Sequence, residues 1–190
     1  MVFPLKGFTF DWYIEMWNKA RLHQALWNSI KVGVIASIIS TFIALFAAKA
    51  FTRYKVKFSG FSYGVILLPF IIPEIIIAVA FIVIWTSMGL KLGLIPITIS
   101  HVLYCTPFCL LILISRMEGF DKSLEEASMD LGENAFGTFW RITLPLLLPG
   151  IVASLLLSFV ISFDEFILAF FLSSSDQTLP IYMWSQLRFP

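Results

Sequence analysis

Four long apolar segments dominate this 190-residue sequence and most narrow what it can fold into. They occupy residues 27–48, 62–88, 94–115 and 146–172. A helix needs roughly 20 apolar residues to cross the hydrocarbon core of a bilayer, which is about 30 Å thick. A helix also satisfies its own backbone hydrogen bonds in lipid, and none of the segments alternates as a barrel strand does. The sequence therefore predicts an all-α membrane protein with four spans.

The composition supports a lipid environment and excludes some other classes of protein. Hydrophobic residues make up 59% of the chain and charged residues only 13%, whereas a soluble domain is nearer half apolar and a quarter charged. The net charge is +1 and no dense basic cluster is present, so nucleic acid is not an expected partner. Cys105 and Cys109 lie within one apolar segment, which favours a packing role over a disulfide or a metal site.

The orientation follows from the basic residues beside the spans. They are concentrated in two loops: Lys49, Arg53, Lys55 and Lys57 in the first, and Arg116, Lys122 and Arg141 in the second. The positive-inside rule predicts that both loops are cytoplasmic and that both chain ends lie outside. Lys6, Lys19 and Arg21 near the N-terminus oppose this bias. Five tryptophans support it, since they fall at the predicted outer boundary: Trp12, Trp17, Trp27, Trp85 and Trp184.

Prolines are expected to interrupt two of the spans. Pro69 and Pro73 lie in the second, and Thr106-Pro107 lies in the third. Proline removes a backbone hydrogen bond and kinks a helix, which suits a moving gate but is also common in membrane bundles. Both interpretations stay open.

The loop between the third and fourth spans has an amphipathic pattern of its own. Leu124, Ala127, Ser128 and Leu131 share one predicted helix face, with acidic residues on the other. Asp121 or Ser123 is expected to cap this helix, and Gly132 to end it in a left-handed conformation. A second short helix is predicted from Asn134 to Trp140. It should expose Phe136, Phe139 and Trp140, before Leu144-Pro145 turns the chain into the membrane. Exposed aromatics of this kind indicate a partner surface.

The loop resembles the EAA signature of ABC importer permeases, which has the pattern E-A-A-x3-G-x9-I-x-L-P. The matching residues are Glu126, Ala127, Ser128, Gly132, Ile142, Leu144 and Pro145, and the only departure is Ser128 in place of alanine. The resemblance implies a polytopic helical bundle of the type I importer permease (MetI-like) kind. In that family the loop inserts into a groove on a cytoplasmic ATPase dimer and transmits its closure. The alternative is a surface-lying amphipathic loop.

ATP hydrolysis is expected on another chain. No glycine here is followed by Lys-Ser or Lys-Thr, so the sequence has no phosphate-binding P-loop. We therefore expect this chain to be no enzyme and to bind no cofactor itself, with ATP and magnesium held by the partner ATPase.

Three acidic residues, Glu74, Asp164 and Glu165, fall inside the predicted spans. Ionised groups at membrane depth are costly and usually face a cavity or a partner. On ideal helices Glu74 and Asp164 lie at depths that agree to roughly 5 Å, so the three carboxylates form a candidate path for a cation. The alternatives are pairing with a second permease and a protonated carboxyl hydrogen-bonded to serine or His101.

Three stretches resemble the spermidine/putrescine branch of these permeases: residues 116–121, 162–166 and 179–182. This resemblance implies a polyamine cargo, a second permease subunit and an external substrate-binding protein, in the bacterial inner membrane. Permeases for other small solutes share most of this framework. An ion-coupled secondary transporter or channel that uses the same carboxylates is the rival from another class.

The resemblance also predicts how the chain divides. Residues 1–26 are expected to form an external segment, and residues 27–190 a permease domain with its coupling loop at 116–145. Members of this branch usually have six spans, so the four present here are expected to lack the first and last. A folded remnant without transport activity is then a further alternative.

Overall fold

Helices account for most of the structure, a computed structural model that describes residues 9–54 and 59–188, without the side chains of Trp12 and Ser59. The expectations for Lys6, Lys55, Lys57 and the Trp12 side chain therefore lie outside the described residues. The helices are α1 (Asp11–Trp17), α2 (Ala20–Arg53), α3 (Ser59–Ile71), α4 (Glu74–Ser87), α5 (Leu94–Glu118), α6 (Ser123–Asp130), α7 (Ala135–Thr138), α8 (Leu144–Asp164), α9 (Ile167–Leu172) and α10 (Leu179–Arg188). A π-helical turn, Phe139–Thr143, joins α7 to α8.

Three helices long and apolar enough to cross a membrane form the centre of the fold: α2, α5, and the continuous run from α7 through α8. The second predicted span is not one helix, because α3 and α4 meet at an angle of 104° and count as one span only if the bent pair crosses together. The break lies at Pro73, which has no N–H and takes an extended conformation. The predicted interruptions at Pro69 and Pro107 are wrong, since both prolines lie inside continuous helices.

The fourth predicted span also has a break that the sequence prediction missed. Helix α8 ends at Asp164, Glu165 has an extended backbone, and α9 begins at Ile167. The predicted turn at Leu144-Pro145 is wrong for the opposite reason: the helix continues where a reversal was expected. The chain runs without reversal from α7 through the π-helical turn into α8, and Pro145 is the second residue of α8, directly after that turn.

The central helices pack through small and weakly polar side chains. The buried positions include Ala36, Ser40 and Ala44 on α2, Cys105 and Cys109 on α5, and Gly150, Ser154 and Ser158 on α8. The large apolar side chains point outwards instead, as at Phe42 and Leu156. This inside-out pattern is expected in lipid, because hydrocarbon chains solvate large apolar groups and close packing holds the helices together. Several of the buried hydroxyls bond to carbonyls of their own helix, for example Ser158 Oγ to the Ser154 carbonyl at 2.6 Å.

Gly33 sets the closest approach of α2 to α8. A Cβ built at this position would lie 3.0 Å from the ring of Phe159. We expect Gly33→Val to destabilise the bundle by about 1–3 kcal/mol, the usual effect of overpacking. Gly64→Val on α3 is the control, since a Cβ there meets nothing within 4 Å. SDS unfolding of the detergent-solubilised chain measures both, and equal stability of the two variants would contradict the contact.

The two ends of the bundle have different chemistry. At one end, here called the basic end, lie Lys49, Arg53, Arg116, Lys122 and Arg141, joined by contacts to α6, α7 and the start of α8. At the opposite end the loop before α10 is tied to α2, because Asn28 Nδ2 donates to the Gln177 carbonyl at 3.1 Å and Ser29 Oγ accepts from Leu179 N–H at 2.8 Å. The basic residues of both predicted loops that the structure describes thus share one end.

Candidate coupling loop and intramembrane carboxylate site

The loop at the basic end folds into a helical hairpin. Asp121 Oδ1 accepts the Ser123 N–H at 2.9 Å, which confirms the predicted cap and holds the pKa of Asp121 below its usual value. Gly132 ends α6 with a φ of +95°, as the sequence predicted, because residues with a Cβ rarely adopt this conformation. Asn134 then caps α7 by accepting the Gly137 N–H at 2.8 Å. Ser128 and Thr138 hydroxyls, 3.0 Å apart, hold the two helices together.

The outward side of this hairpin carries an apolar surface, here called the loop patch. It consists of Leu124 (46% exposed), Leu131 (89%), Phe136 (73%) and Trp140 (52%). Leu124 and Leu131 lie outside the three long apolar helices, and Phe136 and Trp140 lie at the start of the run from α7 through α8. Apolar side chains of this size are costly to leave in water. The loop patch is therefore suited to docking against another protein surface.

The motif residues fall on both sides of the hairpin. Glu126, Ala127, Gly132 and Pro145 are exposed, while Ile142 and Leu144 are half-buried and Ser128 is buried. Glu126 forms a surface ion pair with Lys122 at 3.2 Å. The structure thus presents Glu126, Ala127 and Gly132 together with the loop patch on the outward side.

Two parts of the sequence-based description of this loop are wrong. Phe139 was expected to be exposed but is buried, because its ring packs beside Phe46 and lies 4.2 Å from Lys49 Nζ. Glu125, one of the acidic residues expected on the helix face opposite Leu124 and Ala127, is only 7% exposed. It pairs with Arg53 of α2, a contact between residues 72 positions apart that helical periodicity cannot reveal.

The second candidate site lies where two broken helices meet inside the bundle. Glu165 follows the end of α8 and is 7% exposed. Its two carboxylate oxygens accept the backbone N–H groups of Leu168 (2.7 Å) and Ala169 (3.0 Å) at the start of α9. The N-terminal end of the α9 dipole points at this carboxyl group.

His101, on α5, holds Glu165 from the other side. The imidazole is fully buried, with Nε2 2.9 Å from Glu165 Oε2 and Nδ1 2.7 Å from Ser162 Oγ. A carboxylate can only accept, so Nε2 donates to Glu165, and Nδ1 of a neutral ring then accepts from the Ser162 hydroxyl. Ser162, His101 and Glu165 form one continuous hydrogen-bonded chain from α8 through α5 to α9.

Glu74 belongs to the same cluster and Asp164 does not. Glu74 is the first residue of α4, directly after the Pro73 break, and is half-buried. Its carboxylate interacts with the Tyr104 hydroxyl and, through space, with Glu165 and His101. Asp164 is exposed, and within residues 9–54 and 59–188 it has no hydrogen-bond or ion-pair partner. The structure therefore brings two of the three predicted carboxylates together.

The cluster is chemically suited to attract a cation. Glu74 and Glu165 each lie at the N-terminal end of a half-helix, so the cluster places two carboxylates beside two helix breaks. Only Glu165 has its oxygens fully engaged, which leaves Glu74 as the carboxylate with free acceptor capacity. Sequence analysis did not identify Tyr104, and it placed His101 only among alternative partners. The signal that could have identified Tyr104 is that it is a polar residue on an apolar span, at helical spacing from His101.

Comparison with known proteins identifies the family of this chain. Residues 40–188 match the family model described as "Binding-protein-dependent transport system inner membrane component". The spermidine/putrescine transport system permease protein PotC of Escherichia coli (strain K12) is 32% identical over 184 residues, which cover 96% of this chain and 70% of that protein. The putrescine transport system permease protein PotI of the same strain is 28% identical over 192 residues, covering 96% and 68%.

A solved structure shares the fold. It is the crystal structure of a bacterial ABC transporter involved in the import of the acidic polysaccharide alginate, with a TM-score of 0.75 and 17% sequence identity. The match covers 92% of this chain and 61% of that one. The predicted all-α bundle of the importer permease kind is confirmed. Because that transporter is involved in the import of an acidic polysaccharide, the fold alone does not set the charge of a cargo.

Proposed function

We propose that this chain, which belongs to the family of binding-protein-dependent transport system inner membrane components, imports polyamines as the membrane-spanning subunit of an ATP-driven transporter. The observation that carries the cargo assignment is the pair of carboxylates, Glu74 and Glu165, at two adjacent helix breaks. A linear polyamine is a chain of ammonium groups joined by methylenes, so it pairs with spaced carboxylates inside an otherwise apolar path. The spermidine and putrescine permeases among the relatives support the same class.

Energy is supplied from the basic end, which we place in the cytoplasm. A partner ATPase dimer, holding ATP and magnesium, receives the loop patch together with Glu126, Ala127 and Gly132. The outward exposure of these residues, and of Leu131 above all, supports this docking. The chain contributes no catalytic group to ATP hydrolysis. A second permease subunit completes the path, and an external binding protein delivers the cargo.

The broken helices are the parts of the bundle that can change the path. Helical hydrogen bonding is interrupted at two breaks. Pro73 lies at the break between α3 and α4, and Glu165, with its extended backbone, lies at the break between α8 and α9. Such breaks near the middle of a membrane protein are where binding sites and moving segments are found in transporters. Alternating access would then reposition α4 and α9 around the cluster while α2, α5 and α8 stay packed.

The cargo assignment is tested by Glu74→Gln in proteoliposomes that hold the assembled transporter. Removing one charge-assisted contact, worth about 1.5 kcal/mol, is expected to raise the KM for spermidine uptake about tenfold. Asp164→Asn, on an exposed carboxylate outside the cluster, is expected to change KM less. Glu15→Gln is the control, since Glu15 only pairs with Lys19 on the surface.

Three outcomes would contradict this function. An unchanged KM in Glu74→Gln would remove the carboxylate from the path. Uptake of another small solute but not of polyamines by the wild-type transporter would retain the importer and reject the cargo. Uptake that persists without the ATPase but collapses with the proton gradient would indicate an ion-coupled carrier instead.

A further inference from the structure

Glu125 is the acidic residue directly before the loop motif, and it faces the interior. Its Oε2 lies 2.5 Å from Arg53 Nε, and its Oε1 accepts the hydroxyl of Thr143. The side chains of Arg53 and Glu125 are only 11% and 9% exposed. Both oxygens of one buried carboxylate are therefore committed to partners on two different elements, α2 and the π-helical turn.

Arg53 extends the connection to a further helix. Its Nη2 donates to the Met117 carbonyl at 3.0 Å, and its guanidinium lies 4.9 Å from the centre of the Phe120 ring. Thr52, its neighbour on α2, contacts Met117 Sδ at 2.7 Å. The last turn of α2, the end of α5, helix α6 and the π-helical turn thus all meet at the Arg53–Glu125 pair, here called the clasp.

The neighbouring residue, Glu126, shows that this arrangement is specific. Glu126 and Lys122 form an ion pair on the surface at 3.2 Å, with side chains 55% and 60% exposed. Exposed pairs of this kind contribute little to stability, whereas breaking a buried pair leaves an uncompensated charge. Two adjacent carboxylates on α6 therefore point in different directions: Glu126 faces outward and Glu125 faces the bundle.

The connection between α6 and α2 does not come from neighbouring positions in the sequence. The loop joins α5 to α8 covalently, through the π-helical turn Phe139–Thr143. No covalent link carries a displacement of α6 to α2, which ends at Arg53 and belongs to a distant part of the sequence. The clasp supplies a non-covalent link between α6 and α2, and the 4.2 Å contact of Lys49 with the Phe139 ring lies beside it.

We propose that Arg53 and Glu125 are positioning residues that fasten the coupling helix α6 to the end of α2, so that displacement of the loop moves α2 together with α6. The π-helical turn then remains the joint at which α8 can move relative to this unit, consistent with the frequent occurrence of such turns at functional sites. This inference rests on the proposed function, because it assumes that a partner ATPase displaces the loop.

The first measurement needs no cargo and no ATPase. In the full chain in nanodiscs, we expect Arg53→Gln and Glu125→Gln each to raise hydrogen exchange of the α6 amides about tenfold, while exchange in α10 stays unchanged. The double variant should show no further increase, because both substitutions break the same link. Glu15→Gln/Lys19→Gln, which removes an exposed pair at the other end, is the matched control.

The second measurement separates transmission from simple stability. In transporters purified through the ATPase subunit, we expect both single variants to reduce spermidine taken up per ATP hydrolysed about tenfold. A purely structural role would lower uptake and hydrolysis in proportion and leave this ratio unchanged.

The outcomes are decisive in both directions. Unchanged α6 exchange, an unchanged uptake ratio, or loss of the ATPase subunit from the variants would overturn the clasp as a transmitting link. A wild-type transporter that couples ATP to another solute rejects the polyamine proposal only, and the uptake ratio is then measured with that solute.

Discussion

Gly132→Asp is expected to abolish ATP-driven uptake and to weaken association with the ATPase subunit at least about a hundredfold, which corresponds to about 3 kcal/mol. Gly132 is exposed, has a φ of +95°, and lies beside Leu131, the most exposed residue of the loop patch. An aspartate there introduces backbone strain and places an unpaired charge where a partner surface must dock. Co-purification of the ATPase with the detergent-solubilised chain measures the association.

Gly89→Asp provides the matched control for this substitution. Gly89 also has a positive φ, +70°, and a Cβ at either glycine meets nothing within 4 Å. Gly89 follows α4 and lies away from the loop, so its variant bears comparable strain without affecting the docking surface. We expect it to keep the ATPase bound. If both variants lose the ATPase equally, or if neither does, Gly132 has no specific role in docking.

His101→Leu is expected to reduce the free energy of unfolding by about 1–3 kcal/mol, the usual cost of leaving a buried polar group without its hydrogen-bond partner. The substitution leaves Glu165 without its Nε2 contact and the Ser162 hydroxyl without its Nδ1 contact, both inside the bundle. The break between α8 and α9 should then lose its fixed geometry. SDS titration of the solubilised protein measures the unfolding.

His101→Gln tests whether the hydrogen bond is what matters. A glutamine side chain is apolar along its stem and can still donate to Glu165, so we expect it to recover a substantial part of the lost stability. Ser162→Ala offers a second comparison, since it removes only the hydroxyl that contacts His101 Nδ1 and leaves the His101–Glu165 contact in place. A leucine variant as stable as wild type would show that Glu165 does not depend on His101.

Sequence patterns predicted the membrane helices well and their breaks unevenly. Runs of apolar residues mark spans directly, so α2 and α5 were found with their ends shifted by a few residues. Proline has a large local effect, yet of the three prolines expected to interrupt a span only Pro73 breaks a helix, while Pro69 and Pro107 lie inside continuous helices. The break at Glu165 has no proline. It exists because the carboxylate caps α9 and His101 holds it there, and both contacts depend on packing.

The coupling loop also contains both features that the sequence predicted and features that it did not. The motif spacing identified Glu126, Ala127 and Gly132, and the glycine conformation followed from its place after an amphipathic helix. Helical periodicity placed Glu125 with the acidic residues on one helix face, and Phe139 was expected at the surface with its aromatic neighbours. Both are buried because they pack against other helices: Glu125 pairs with Arg53 of α2, and Phe139 lies in the apolar core, with Lys49 beside its ring.

By itself the sequence determined the lipid environment, the helical class and the family of this protein. The length of an apolar segment and the spacing of a motif are local properties of the sequence, and they do not depend on tertiary contacts. Only the tertiary structure decided what the charged residues inside the bundle do. It joined Glu74, His101 and Glu165 into one cluster, left Asp164 apart, and turned Glu125 inward to Arg53. A buried charge is stable only beside a compensating group, and in this chain that group comes from a distant helix.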